Sequence, residues 1–94
     1  TQDYSGYPDC RIEFLRKFNE AVNLGLKSND IKIIAPIIDK SKKEIIKIGL
    51  KLNVPFEYTW SCYNGFKKPC LKCDSCRFRI NAFESLGLTD PLLE

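Results

Sequence analysis

The chain has 94 residues, a formal net charge of +3, and neither histidine nor methionine. Its length corresponds to one small domain or to a piece of a larger one, and this charge is too small by itself to indicate nucleic-acid binding. No apolar run approaches the roughly 20 residues of a membrane span, and no signal peptide opens the sequence. Together with thiols that look unpaired, this suggests a reducing, cytoplasmic setting, and the start at Thr1 without a methionine suggests a fragment.

Residues 1–10 are predicted to form a polar loop, because Gly6 and Pro8 disfavour regular secondary structure there. Two tyrosines and two aspartates lie close together in this loop. Such a loop is often only a lid over a core, but rings and a carboxylate are also what a planar heterocycle needs. An amphipathic helix is predicted over residues 10–27, with Phe14 and Phe18 on an apolar stripe that we expect to be core.

The β-branched run at residues 31–35 predicts a short strand. Its nearly continuous apolar character is typical of a strand buried on both faces, as in a parallel α/β sheet. Ser41 and Glu44 then form a capping-box pattern, which predicts a helix as far as about Leu52. Asn53 is the expected left-handed residue at its end.

Residues 54–60 are predicted to be extended and to lead into a cysteine-rich segment with the spacing C-x7-C-x2-C-x2-C. Turn formers between the first two cysteines would gather the thiols, and four thiols without histidine favour a closed, structural zinc site over a catalytic one. An iron–sulfur cluster and disulfides are the alternatives, although an odd count of five cysteines weakens the second. The predicted ligands are Cys62, Cys70, Cys73 and Cys76.

A last helix is predicted from about Asp74 to Leu86, with Gly87 ending it. Four thiolates and one Zn²⁺ carry a formal charge of about −2, which we expect nearby basic residues and the amino end of this helix to offset. An ordinary solvated surface is an equally open alternative for any one of these basic residues. They are Lys67, Lys68, Lys72, Arg77 and Arg79.

Two stretches together resemble one protein family: DYSGYPDCR at residues 3–11, and TWSCYNG at 59–65 followed by KPCLKCDSCR at 68–77. The family is the 7-cyano-7-deazaguanine synthases of queuosine biosynthesis. The resemblance implies an α/β fold of the adenine-nucleotide alpha-hydrolase-like (Rossmann-like) type, which has a parallel sheet. These 94 residues would be its C-terminal portion, which is rich in helices and carries a four-cysteine zinc loop. We expect residues 1–58 to be its helix–strand–helix part and 59–94 its zinc loop and terminal helix.

The resemblance also implies an ATP-dependent carbon–nitrogen ligase. Such an enzyme would adenylate 7-carboxy-7-deazaguanine, form the amide with ammonia, then adenylate again and eliminate to the nitrile. The implied cofactors are one structural zinc on Cys62, Cys70, Cys73 and Cys76, and ATP with Mg²⁺ as co-substrate; homodimers are expected. The family's Ser-Gly-Gly-x-Asp-Ser loop for ATP is absent from these 94 residues, so we expect the isolated chain to be inactive.

Substrate contacts follow from this resemblance and from the chemistry of a deazaguanine. Asp9 would accept hydrogen bonds from ring N–H groups, and Arg11 would pair with the substrate carboxylate. Tyr4, Tyr7 and Trp60 would stack on the ring. Each of these residues also has an ordinary alternative as a cap, a surface ion or a core ring.

The sequence departs from the family at Ile12, where proline is expected, and at Phe66 and Leu71, where glycine is expected. Two other functions remain open. A zinc-ribbon-like module that binds RNA or protein would use the basic cysteine segment with its interleaved aromatic residues. A tRNA-thiolating relative of the ATP pyrophosphatases is the third possibility, against which the loop at residues 3–11 argues.

Overall fold

The structure, a computed structural model, describes residues 7–27 and 30–94. It divides into two compact units, here called the first unit (Thr1–Lys40) and the second unit (Ser41–Glu94). The α-helices are α1 (Ile12–Leu24), α2 (Lys42–Lys51) and α3 (Asp74–Ser85), and short 3-10 helices lie at Pro8–Cys10, Phe56–Tyr58 and Pro91–Leu93. Within the described residues, no helix combines the length and apolar character that crossing a bilayer requires.

The first unit contains α1, which confirms the helix predicted over residues 10–27 with narrower bounds. The helix begins after Arg11, whose backbone is extended, and ends at Gly25, whose N–H bonds back to the carbonyls of the last turn. Phe14 and Phe18 stack with ring centroids 5.8 Å apart. They are nevertheless 44% and 49% exposed, and α1 buries none of its residues. The expectation that this stripe is core is therefore wrong for the described structure.

The strand predicted at residues 31–35 is absent, and the described residues contain no strand. Two side chains of α1 take the place that a neighbouring strand would occupy. Asn23 accepts a hydrogen bond from the Ile31 N–H (3.2 Å) and donates one to the Ile31 carbonyl (2.8 Å), while Asn19 accepts one from the Ile33 N–H (2.7 Å). Because a strand is defined by pairing with another backbone, this segment is extended chain bound to a helix.

The second unit opens with α2, whose two ends form as predicted. The Ser41 hydroxyl accepts a hydrogen bond from the Glu44 N–H at 3.2 Å, which caps the first turn. At the other end Asn53 has a φ of 57°, and the Val54 N–H reaches back to the Gly49 carbonyl at 2.9 Å. This is the six-to-one hydrogen bond of a Schellman motif, so the signals that end α2 are local ones.

The core of the second unit lies between α2 and α3. Ile46, Ala82 and Phe83 are buried, and Phe56 and Leu86 pack against them. The rings of Phe56 and Phe83 meet edge to face with centroids 5.4 Å apart, a favoured arrangement for aromatic pairs.

The ends of α3 were anticipated more accurately than the chain that leads towards the cysteines. The helix stops where predicted, because Gly87 adopts a φ of 73°. Residues 54–60, expected to be extended, instead contain the 3-10 turn Phe56–Tyr58. The Thr59 hydroxyl donates to the Phe56 carbonyl at 2.7 Å and closes that turn.

Candidate metal centre

The structure brings together the four cysteines that the spacing singled out. Their sulfur atoms all lie within 4.8 Å of one another, and none of the five cysteines forms a disulfide. In a tetrahedral site with bonds of about 2.3 Å to zinc, the sulfurs would be about 3.8 Å apart. The cluster therefore has the composition and size to hold one metal ion on Cys62, Cys70, Cys73 and Cys76. The fifth cysteine, Cys10, is exposed and belongs to the first unit.

Cys62 begins a tight turn whose backbone points at its own sulfur. The Sγ atom accepts hydrogen bonds from the N–H groups of Asn64 (3.3 Å), Gly65 (3.1 Å) and Cys70 (3.2 Å). Such donors stabilise a thiolate, which is the form that binds metal. The segment from Cys62 to Cys76, called here the cysteine loop, therefore begins with a preformed anion site.

Gly65 is required at its position for a steric reason. A methyl group there would overlap the carbonyl oxygen of Lys68 and would also crowd the backbone of Cys70. The Asn-Gly pair thus does more than make a flexible turn. It allows the two sides of the cysteine loop to approach closely enough for the Cys70 N–H to reach Cys62.

A second turn of the same kind follows at Cys70, whose sulfur accepts from the N–H groups of Lys72 (3.4 Å) and Cys73 (3.3 Å). Leu71 must adopt a left-handed backbone, with a φ of 63°, to make this turn. That conformation is strained for a residue with a Cβ atom. It gives a physical reason for the glycine that the family resemblance led us to expect at Leu71.

The four thiols do not share one protonation behaviour. Hydrogen bonds from backbone N–H groups, that of Cys70 foremost, lower the pKa of Cys62 to about 6 against the opposing effect of burial. The pKa of Cys73 is also lowered, chiefly by the backbone of Tyr63. Burial raises the pKa of Cys76 to about 12, because its side chain is only 3% exposed. A metal ion entering the cluster must therefore displace a proton from Cys76.

One of the basic residues expected to offset the thiolate charge does not do so. Arg79 is buried and forms an ion pair with Asp90, which is also buried. Backbone N–H donors instead surround the thiols, while the lysines of the cysteine loop are exposed. The sequence contains no local signal for the Arg79–Asp90 pair, because its members lie eleven residues apart.

The residues predicted to contact a substrate are not brought together in the same way. Asp9 lies in the exposed 3-10 turn Pro8–Cys10, Tyr7 precedes that turn and is half-exposed, and Arg11 follows it. The Arg11 guanidinium lies 3.8 Å from the Glu13 carboxylate, and both side chains are mostly exposed. Tyr4 lies outside the described residues.

An open groove of about 450 Å³ lies beside this turn in the first unit. Two guanidinium groups line it together with two carboxylates. A groove with this mixture has donors for an anionic group and acceptors for ring N–H groups. Its lining includes Arg11, Arg16, Glu13 and Asp39.

Trp60 belongs to the second unit, where it supports the cysteine loop. Its indole N–H donates to the carbonyl of Cys62 at 2.9 Å, and its side chain is half-exposed. The polar edge of the indole ring thus stabilises the turn that begins at Cys62. The proposed stacking role for Trp60 stays a prediction.

Comparison with known proteins supplies the remaining observations. A protein-family model described as "Queuosine biosynthesis protein QueC" matches residues 1–87. The chain is 52% identical over 95 aligned residues to a 7-cyano-7-deazaguanine synthase of Trichodesmium erythraeum, covering 97% of this chain and 43% of the relative. Proteins of the same name are 50% identical in Oceanobacillus iheyensis (96% and 41% covered) and 48% identical in Archaeoglobus fulgidus (97% and 38% covered). The chain thus spans about two-fifths of the length of these relatives.

Proposed function

The chain belongs to the family of the queuosine biosynthesis protein QueC, and on that premise we propose that it is the metal-binding, C-terminal part of a 7-cyano-7-deazaguanine synthase. Membership implies a nucleotide alpha-hydrolase-like fold. The described residues contribute helices to it, and residues 31–35 would join a sheet only beside strands that these residues do not contain. The observation that carries the proposal is the continuous family match over residues 1–87, which includes all four clustered cysteines.

The proposed reaction converts a carboxylate to a nitrile in two activations. ATP transfers AMP to the carboxylate of 7-carboxy-7-deazaguanine and releases pyrophosphate, and ammonia then displaces AMP to give the amide. A second ATP activates the amide oxygen, and loss of AMP leaves the nitrile. Capture of ATP and Mg²⁺ requires a loop of clustered backbone N–H groups, which we assign to the part of the enzyme outside these 94 residues.

We propose zinc as the metal, because four thiolates suit a soft, tetrahedral ion. Cys62, Cys70, Cys73 and Cys76 would hold it. The hydrogen bonds that already point at Cys62 and Cys70 fit this role, since they stabilise thiolates before any ion binds. A set of four protein ligands leaves no open coordination position, so the metal would hold the loop in place and take no part in the chemistry.

The groove beside Pro8–Cys10 is the proposed site for part of the substrate. Among the described residues, Arg11 forms a long, exposed ion pair with Glu13 alone, and such a pair contributes little. The guanidinium is therefore available to a substrate carboxylate. Asp9 is exposed on the same turn and would accept from the N–H groups of the deazaguanine ring, on which Tyr4 and Tyr7 would stack. The stacking role of Trp60 is a separate proposal that rests on the family resemblance alone.

The experiment that tests the function is an assay of the full-length protein with 7-carboxy-7-deazaguanine, ammonia and ATP. Mass spectrometry should show the amide and then the nitrile, with AMP and pyrophosphate as the other products. Formation of ADP and phosphate, or no dependence on ammonia, would contradict the proposal. Cellular fractionation and measurement of the molecular mass in solution would test the proposed cytoplasmic location and homodimer.

The substrate contacts are tested by Asp9→Ala and Arg11→Ala in the same assay. Each change should raise KM for 7-carboxy-7-deazaguanine by about tenfold or more, because each removes a charged hydrogen-bond partner, and should leave the melting temperature nearly unchanged. Asp30→Ala is the matched control, since Asp30 is an exposed carboxylate of the same unit. If the kinetic constants of Asp9→Ala equal those of the control, Asp9 is not a substrate contact.

A second function, an RNA- or protein-binding module, is favoured by one observation on the cysteine loop. The side chain of Phe66 is 100% exposed, and Lys67 and Lys68 follow it with exposed side chains. An aromatic ring among cations is a common feature of single-strand binders. Salt-dependent binding of single-stranded RNA, lost on Phe66→Ala, would support this function, whereas RNA binding no tighter than that of serum albumin would exclude the RNA version.

A further inference from the structure

Arg79 is a buried cation that the proposed function does not use. It is 5% exposed, and its partner Asp90 is 4% exposed. The Nε and Nη2 groups donate to the two oxygens of the Asp90 carboxylate, with Nη2 at 2.8 Å from Oδ1. Such a parallel pair fixes the plane of the guanidinium as well as its position.

The other donors of Arg79 hold the chain that leads into the cysteine loop. Nη1 donates to the carbonyl (3.1 Å) and the hydroxyl (2.9 Å) of Thr59, and Nη2 donates to the carbonyl of Phe56 at 2.9 Å. Arg79 lies one turn after Cys76 on α3, and Thr59 lies three residues before Cys62. One side chain therefore joins the helix that carries Cys76 to the backbone that carries Cys62.

The ion pair also lines a small cavity together with these two thiols. Cys62, Cys76, Arg79 and Asp90 line the same cavity, whose volume is only about 10 Å³. A space of this size holds at most one water molecule. A shift of the guanidinium would therefore change the lining of a cavity that Cys62 and Cys76 also form.

Asp90 is held in turn by the end of the chain. Its Oδ1 atom accepts the Leu92 N–H at 3.0 Å, which caps the 3-10 helix Pro91–Leu93. The family model ends at residue 87, so it does not include this helix or Asp90. Their link to the cysteine loop is visible only in the structure.

We infer that Asp90, acting through Arg79, is a positioning residue of the metal centre that sets where Cys62 lies relative to Cys76. The inference rests on the proposed metal site. Cys70 and Cys73 depend less on this pair, because neither lines the cavity that the pair shares with Cys62 and Cys76. The pair should therefore control how firmly the metal is held on the Cys62 side.

The test is the rate of metal release from the zinc-loaded, full-length protein to a chromogenic chelator. Asp90→Asn should release zinc about 10- to 100-fold faster than the wild type, as expected for loss of an outer partner of a metal site. Alkylation of the loaded protein, mapped by peptide mass, should reach Cys62 before Cys70. Glu84→Gln, an exposed change on the same helix, should release zinc at the wild-type rate.

Asp90→Asn leaves a buried guanidinium without its partner and can unfold the unit, so two milder variants complete the test. Thr59→Val removes one acceptor and should speed release about threefold, roughly the effect of losing one modest hydrogen bond. Arg79→Met with Asp90→Leu removes both charges together and should lose zinc at least as fast as Asp90→Asn. The cobalt-loaded form of each should keep a tetrahedral thiolate spectrum if the four ligands remain bound.

The outcomes separate the inference from the function on which it rests. If the wild type binds no metal, the metal site and the positioning role are both wrong. If the wild type binds zinc and the folded variants release it at the wild-type rate, only the positioning role is wrong. Equal alkylation of all four thiols in every variant would indicate general unfolding and would also overturn it.

Discussion

The two units of the chain contain helices of similar length but differ in the interactions that stabilise these helices. In the second unit α2 and α3 enclose buried apolar side chains, and an ion pair and four thiols lie beside this core. In the first unit α1 stacks two phenylalanines on its surface and buries none of its residues. The comparison shows that an apolar helical stripe predicts the helix but does not show that the stripe is covered.

Removal of the metal should have the largest effect and should be confined to the second unit. Structural zinc contributes on the order of 10 kcal/mol of apparent binding free energy at neutral pH. We expect Cys76→Ser, or a chelator, to increase hydrogen exchange throughout α3 and the cysteine loop while exchange in α1 stays the same. An equal loss of protection in α1 would contradict the claim that the effect of the metal is confined to the second unit.

Truncation of one phenylalanine in each unit should give the next largest difference. Phe83 is 1% exposed, so Phe83→Ala should lower the free energy of unfolding by about 3–5 kcal/mol. Phe14→Ala should cost about 1 kcal/mol or less, because that ring is already half in solvent. Urea denaturation of the 94-residue chain measures both values, and a loss at Phe14 as large as that at Phe83 would contradict its surface position.

Glycine to alanine changes give a matched pair of smaller size. Gly65→Ala places a methyl group against the Lys68 carbonyl and should weaken metal binding by about tenfold or more. Gly25 lies at the end of α1, and the methyl group added by Gly25→Ala would lie 3.6 and 3.7 Å from two carbonyl oxygens, which are ordinary distances. The free energy of unfolding should therefore change by less than about 0.5 kcal/mol. Competition with a zinc indicator and thermal melting measure the two effects.

Lowering the pH should weaken metal binding in the second unit, because the thiols of its cluster become protonated. Because the pKa of Cys62 is lowered to about 6, its ionised form is present above that pH and is lost as the pH falls through it. Cys76, with a pKa of about 12, is protonated throughout this range and always releases a proton to the metal. Zinc affinity should therefore fall with decreasing pH, and below pH 6 by about one further factor of ten per pH unit.

Calorimetry in two buffers of different ionisation enthalpy measures the protons released per zinc. The number should be larger by at least about one at pH 5 than at pH 7.5, since Cys62 then contributes a proton as well. The same number at both values would show that Cys62 is not the thiolate of the metal-free cluster. The exchange rates of α1, corrected for intrinsic pH effects, should not follow this titration.

The sequence predicted those features whose causes are local. Ser41 and Glu44 mark the start of α2, and Asn53 and Gly87 mark the ends of α2 and α3, because caps and left-handed residues act within a few positions. The cysteine cluster was predictable for the same reason, since spacing and turn formers lie within one short segment. The backbone donors around Cys62 could not be predicted in detail, because they depend on the conformation of the whole loop.

For features that depend on partners distant in sequence, the predictions were wrong or were not made. The strand at residues 31–35 required a neighbouring strand, and Asn19 and Asn23 bind its backbone instead. Arg79 and Asp90 each look like a surface charge when considered alone. Only their meeting in a closed interior makes them a buried pair, and no short-range pattern signals such a meeting.

The hydrogen bond from the Gly65 N–H to the Cys62 sulfur has a consequence for the chemical ageing of the protein. An Asn-Gly sequence deamidates when the glycine nitrogen attacks the preceding side-chain amide and closes a succinimide ring. In the cysteine loop the N–H on that nitrogen is hydrogen-bonded to the Cys62 sulfur, which disfavours the loss of the proton that the attack requires. Aspartate and isoaspartate at position 64, read by peptide mapping, should accumulate first in protein whose loop has opened, so this position records the loss of metal over time.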